Sequence, residues 1–429
     1  MKPLVFLCVS LVSGAALASS DGHADPVAPV ALWLVVILLA AKLGGDLAVR
    51  IGQPAVLGEL LVGVVLGNLT LVGVSELEPI KHDAFIDMFA RVGVLVLLFE
   101  VGLESTVGQM LKVGWSSLLV AILGVVTPFG LGWAVSAWLL PAHGPYVHAF
   151  IGATLTATSV GITARVLKDL GRSQSNEARV ILGAAVIDDV LGLVILAVVT
   201  GIIAAANHGG SLGALDVLWT LGKATGFLFL SLVVGVLFSG KLFSLASRLR
   251  ARGVLLAISL AFCFLLAWLA NFIGLAPIVG AFAAGLILEE AHYKDFVDKG
   301  EHQLEELIHP ISSFLVPVFF VLMGMRTELR SFAQPGVLGL AGALTGVAII
   351  GKQACSLGVI GKGMDRLSVG IGMVPRGEVG LIFANIGLAL AVGGQRIIDQ
   401  ATFSAVVVMV IVTTMVTPLA LKWSLGRRA

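Results

Sequence analysis

Charge is what this sequence has least of. Asp, Glu, Lys and Arg make up only 12% of its 429 residues, while 58% are hydrophobic and the mean hydropathy is +1.03. A chain this poor in charge cannot cover a water-facing surface. A soluble protein is excluded and an integral membrane protein is expected. Proline is scarce beside glycine (14 against 52), which suits closely packed membrane helices with a few deliberate breaks. A formal net charge of +1 offers no basic face and argues against nucleic acid as a partner. The three cysteines, Cys8, Cys263 and Cys355, have no metal-site spacing and give no reason to expect a disulfide. No low-complexity tract or soluble domain is found, and no cofactor is expected.

The chain opens on MKPLVFLCVSLVSGAALASS, with Lys2, a short apolar run and the small residues Ala16 and Ala18. That pattern reads as a signal peptide over 1–18, with an uncleaved first helix as the alternative. About thirteen apolar segments follow, near 28–49, 54–68, 85–104, 114–140, 147–168, 178–205, 217–239, 253–271, 274–289, 309–325, 335–359, 367–393 and 400–421. The charged stretch from Glu289 to His309 reads as a surface helix between two halves. With the mature N-terminus outside, basic residues collect in the inward loops: Arg172 and Arg179, Lys241 and Arg248, Lys362 and Arg366. The basic tail over 422–429, with Lys422, Arg427 and Arg428, also falls inside, so the C-terminus is expected in the cytoplasm.

In the middle of the run Val180–Thr200 (VILGAAVIDDVLGLVILAVVT) stand two adjacent acids, Asp188 and Asp189. One carboxylate at bilayer depth costs roughly 2.5–3.5 kcal/mol, so such residues normally face a water-filled cavity and mark an ion or proton path. The alternative is a structural salt bridge inside a helix bundle. Neighbours on a helix point about 100° apart, so one aspartate can face an ion while the other meets a fixed partner. Lys352, deep in LTGVAIIGKQACSLGVIG, is a candidate partner, because an ammonium at that depth must be paired or neutral unless it snorkels to the inner face.

Two segments carry the marks of interrupted helices. Gly152–Leu167 holds hydroxyls at Thr154, Thr156, Thr158, Ser159 and Thr163, and an unwound stretch there would offer oxygens to a small hard cation. Hydroxyls bonding back to their own helix are the alternative. Gly372–Gly387 has Pro375 and Gly377 around Arg376, with Glu378 next, so a break is expected there too. Arg376 and Glu378 read as structural or gating residues and not as direct ligands. Glu59, Glu100 and Glu104 read as structural acids that pair with Lys42 or Arg91, with a place in the lining of the cavity as the alternative. A weak internal repeat aligns PAVLGELLVGVVLG (54–67) with PIVGAFAAGLIL (277–288), and LLFEVG (97–102) with FVLMG (320–324). The number of segments between equivalents makes the copies inverted, as in secondary transporters.

Taken together, TATSVGITARVL, VIDDVLG, Lys352 and GMVPRGEVGLIFA resemble the monovalent cation:proton antiporter family, in particular its bacterial NapA-type Na+/H+ antiporters, over residues 28–421. The resemblance implies an all-α polytopic fold of about thirteen transmembrane helices, with inverted repeats and two crossing broken helices. It implies core helices over 85–205 and 309–421, dimerisation or scaffold helices over 28–68 and 253–289, a linker helix over 217–239, and a homodimer in the bacterial inner membrane. It makes Asp189 the ion- and proton-binding carboxylate, Asp188 the one paired with Lys352, and Thr158 and Ser159 part of the unwound crossing, with Asp189 and Thr158 as Na+ ligands. The expected activity is electrogenic exchange of H+ for Na+ or Li+ by alternating access, with K+/H+ exchange as the alternative and a cation channel or sensor as a remote one. No catalytic residue is assigned and no enzymatic activity is expected. An intramembrane aspartyl protease would need its two carboxylates on separate helices, and these are neighbours on one.

Overall fold

The computed structural model describes residues 27–427, apart from 105–113, 160–162, 165, 168–169, 171, 173–174, 208–213, 250, 289–295, 297–301, 334–335, 361–362 and 393. The signal peptide expected over 1–18 and most of the stretch from Glu289 to His309 lie outside the described residues. The helices are α1 (Val27–Arg50), α2 (Ala55–Gly67), α3 (Ala84–Glu104), α4 (Trp115–Leu139), α5 (Pro145–Thr154), α6 (Asn176–Asn207), α7 (Ala214–Ala246), α8 (Val254–Phe272) and α9 (Pro277–Ile287). They continue with α10 (Leu304–Met325), α11 (Val337–Gln353), α12 (Arg366–Gly372), α13 (Glu378–Ala389) and α14 (Gln400–Gly426). Among the described residues, seven helical stretches are long and apolar enough to cross a membrane, and α7 supplies an eighth if its 43° bend counts as one span.

The chain folds as two compact units. One holds the residues up to Val94 with Ile311–Ala333, and the other holds Leu95–Pro310 with Gln334–Ala429. In the first unit, α1 and α2 touch backbone to backbone at Gly44 and Gly58, where a Cβ on either glycine would meet the other's carbonyl oxygen. A Cβ on Gly63 of α2 would strike the Val321 carbonyl of α10, and one on Gly324 would strike that of Leu60. Arg91, expected to serve one of the buried glutamates, binds Asp87 instead, and Asp87 also binds Arg326 at 2.7 Å. The Arg91 pairing is local, one turn along α3, whereas Arg326 reaches Asp87 from just beyond the end of α10.

The second unit repeats the glycine contacts with the copies exchanged. Gly280 of α9 lies on the Leu266 carbonyl of α8, and Gly285 lies on the Phe99 carbonyl of α3, beside Gly102. Thus the short helix of the first copy, α2, packs on α10 at Gly324, and the short helix of the second, α9, packs on α3 at Gly102. Apolar attraction alone does not hold helices together in lipid, so close backbone approach at small residues carries the packing.

One buried cluster of the second unit frames the site described below: Val120 and Ala121 from α4, Ile181 and Ala184 from α6, Cys355 and Val359 after α11, and Met373 after α12. The apolar segment read as 367–393 is not one helix. It comprises α12, a break at 373–377, α13, and a two-stranded ribbon, β1 (Ala391–Val392) and β2 (Gln395–Arg396), with Ala391 opposite Arg396. Gly394, at φ +82°, turns the ribbon, which is a conformation a side chain would oppose.

Gly280→Ala is expected to cost about 1–3 kcal/mol through overpacking against Leu266. Gly339→Ala in α11, where a Cβ would meet nothing within 4 Å, should instead gain about 0.5–1 kcal/mol. Melting of the two purified variants in detergent checks the contrast.

Candidate functional site

α6 needs no local device to form: it is a long apolar run, and its acid in the first turn, Glu177, suits a helix N-terminus. It carries Asp188 into the interior of the second unit, fully buried, and leaves Asp189 half-buried. Lys352, in the last turn of α11, donates to Asp188 Oδ1 at 2.8 Å, and neither side chain has any exposed surface. Asp188 Oδ2 has no hydrogen-bond partner among the described residues.

Both suspected interruptions are present. α5 stops at Thr154 and regular structure ceases by Ala157; α12 stops at Gly372 and α13 starts at Glu378. The two breaks lie against each other and exchange hydrogen bonds. Ser159 N donates to the Pro375 carbonyl at 2.8 Å, Thr163 Oγ1 to that of Gly372 at 2.6 Å, and Thr158 Oγ1 to that of Met373 at 3.4 Å. Arg376, fully buried, donates through Nη1 to the Ala157 carbonyl at 2.6 Å, while its Nε and Nη2 have no partner among the described residues. A Cβ on Gly377 would come within 2.6 Å of the Ser159 side chain, so the crossing requires glycine there.

The hydroxyl series divides. Thr154 and Thr156 bond back to the Phe150 and Ala153 carbonyls, whereas Thr158 and Thr163 serve the opposite break. Having spent its proton on Met373, Thr158 Oγ1 keeps its lone pairs for another donor or a cation. The side chain of Glu378 lies outside the described residues. Two contributors had escaped notice in the sequence, Thr413 and Thr414 of α14. Thr413 Oγ1 accepts from Arg376 N at 3.3 Å, and Thr414 Oγ1 donates to the Arg376 carbonyl. Their signal was a pair of adjacent threonines inside the otherwise apolar stretch 406–416. The site thus offers carboxylate and hydroxyl oxygens, the donor set of a hard cation. Among the described residues no cluster of His, Cys, Asp and Glu has the makings of a transition-metal centre.

Residues 32–426 match the profile of a family described as sodium/hydrogen exchanger, transmembrane. The chain belongs to this exchanger family. The exchanger is 39% identical to the high-affinity Na+/H+ antiporter NhaS3 of Synechocystis sp. over 91% of this chain and 88% of that one. It is 35% identical to the Na+/H+-K+ antiporter GerN of Bacillus cereus, over 92% and 96%. Its fold matches that of the sodium proton antiporter MjNhaP1 of Methanocaldococcus jannaschii with a TM-score of 0.63, covering 92% of this chain and 96% of that one at 16% identity.

Lys352→Met strands a buried carboxylate and is expected to cost the exchanger about 3–5 kcal/mol. Lys352→Met combined with Asp188→Leu should recover most of the loss. Thermal melting in detergent measures both, and a single variant as stable as the parent would contradict the expectation.

Proposed function

We propose that this exchanger is a secondary active antiporter that trades protons for Na+ or Li+ at one site. The observation that carries the reading is the division of labour on α6. Asp188 is fully buried and held by Lys352, whereas Asp189, about 100° further round the helix, is only half-buried. Asp189 takes the cation and the proton in turn. Thr158, with the backbone of the crossing at Ser159, adds oxygens, so that Asp189 and Thr158 are the Na+ ligands. Arg376, with Pro375 and Glu378, maintains the break and does not ligate. The names of NhaS3 and of an Enterococcus hirae relative, 33% identical and called a Na+/H+ antiporter, support this choice of ions.

The exchanger sits in a bacterial inner membrane with its N-terminus outside and its C-terminus inside, as the basic inward loops require. It has about thirteen spans and works as a homodimer. Its core comprises 85–205 and 309–421, its dimerisation helices 28–68 and 253–289, its linker helix 217–239, and alternating access comes from movement of the core. The paired aspartates with a lysine make the exchange electrogenic. K+ is the second reading, favoured by the GerN name, which couples sodium and potassium.

Asp189→Asn is expected to abolish exchange in proteoliposomes monitored with a pH-sensitive dye, with Na+, Li+ and K+ compared at several pH values. Undiminished pH-driven sodium uptake by that variant would discard the assignment.

A further inference from the structure

The Lys352–Asp188 pair has little room. α4 passes it at Gly124, and a Cβ built there would lie 2.8 Å from the Cys355 sulfur, 3.3 Å from Lys352 Nζ and 3.5 Å from Asp188 Oδ1. The first distance is shorter than real Cβ atoms tolerate, the second is tight and the third is ordinary contact. The sulfur cannot swing aside as the end of a long chain would. Cys355 is fully buried, and it sits in the single 3-10 turn, Ala354–Gly358, that follows Lys352. Nor can the helices slide apart to make space. A Cβ on Gly351 would lie 3.0 Å from Pro128 Cα, and one on Gly358 would lie 2.6 Å from Val120 N, so the crossing of α4 over α11 is already at backbone distance on both sides of the pair.

We infer that Gly124 is a positioning residue for exchange: its missing side chain makes the space in which Lys352 reaches Asp188, and Cys355 sets how much space remains. Neither residue touches the transported ion. The inference rests on the antiport reading above and adds what that reading leaves open, namely which neighbour fixes the geometry of the charged pair. A methyl at 124 forces the sulfur toward Lys352, moves Nζ off Asp188 and changes the field at the adjacent Asp189 carboxylate. The effect therefore falls on the KM for Na+ as well as on the maximal rate.

The test is a double-mutant cycle of the parent, Gly124→Ala, Cys355→Ala and the double variant, reconstituted in proteoliposomes with KM for Na+ and maximal rate determined separately. Gly124→Ala should lower the maximal rate about tenfold and shift KM when Cys355 is present. In the Cys355→Ala background, where only the 3.3 and 3.5 Å contacts remain, the same substitution should cost less than about threefold. Equal effects in the two backgrounds, or none in either, overturn the inference. If Gly124→Ala does not accumulate, Cys355→Met adds volume from the other side and should reproduce the loss; unchanged kinetics there overturn the inference equally. Melting temperatures of the same four proteins in detergent close the cycle without transport. Parent liposomes that exchange nothing would therefore reject the antiport reading, while additive melting shifts would reject the role of Gly124.

Discussion

Much of the second unit is arranged around a lysine and an aspartate that meet at 2.8 Å with no exposed surface on either. At an effective dielectric of about 20 their attraction is worth about 6 kcal/mol. Removing the two ions from water costs several kcal/mol each, so the pair is close to neutral for stability when whole and expensive when split. Its value is therefore geometric. Lys352 hangs from α11 and Asp188 from α6, and α4 lies close enough at Gly124 for an added methyl to touch both partners. Two helices, α11 and α6, are held in register by one hydrogen bond that cannot be exchanged for water, and α4 packs closely over it.

The same absence of water governs the interrupted helices. A break at membrane depth frees backbone donors and acceptors that must be satisfied within the protein. Here each break supplies the other: Ser159 N finds the Pro375 carbonyl, Thr163 reaches Gly372, and Arg376 closes on Ala157. α14 completes the set through Thr413 and Thr414, which hold the backbone of Arg376 from both sides. Hydroxyls whose protons are spent on carbonyls keep their oxygen lone pairs for a further donor or cation.

The polar exceptions in an apolar chain were the legible part. Asp188, Asp189, Lys352 and Arg376 are each too costly in lipid to be incidental, so their places in apolar runs singled them out. The sequence did not reveal how the hydroxyls divide. Thr156 and Thr158 are equivalent as letters, yet one bonds its own helix and the other the opposite break, because the chain leaves helical geometry between them. Thr413 and Thr414 were passed over for a related reason: a threonine can always satisfy itself on its own helix, and Thr413 does so as well, at the Met409 carbonyl. The ribbon at 391–396 was hidden inside an apolar run, since two-residue strands leave no periodicity to read.

The inverted repeat was faint in the letters for a physical reason that the packing makes plain. What the two copies must keep is backbone contact at a few points: Gly58 and Gly280 against the preceding long helix, and Gly63 and Gly285 against Gly324 and Gly102. Between these points any apolar side chain of suitable size will serve, because lipid and helix interior solvate it alike. Alignment by identity therefore finds two glycines in one pair of segments, one in the other, and little else. The exchange of partners explains why those few persist. α2 of the first copy needs a glycine on α10 of the second, and α9 of the second needs one on α3 of the first, so a change at any of the four disturbs a contact in which both copies take part.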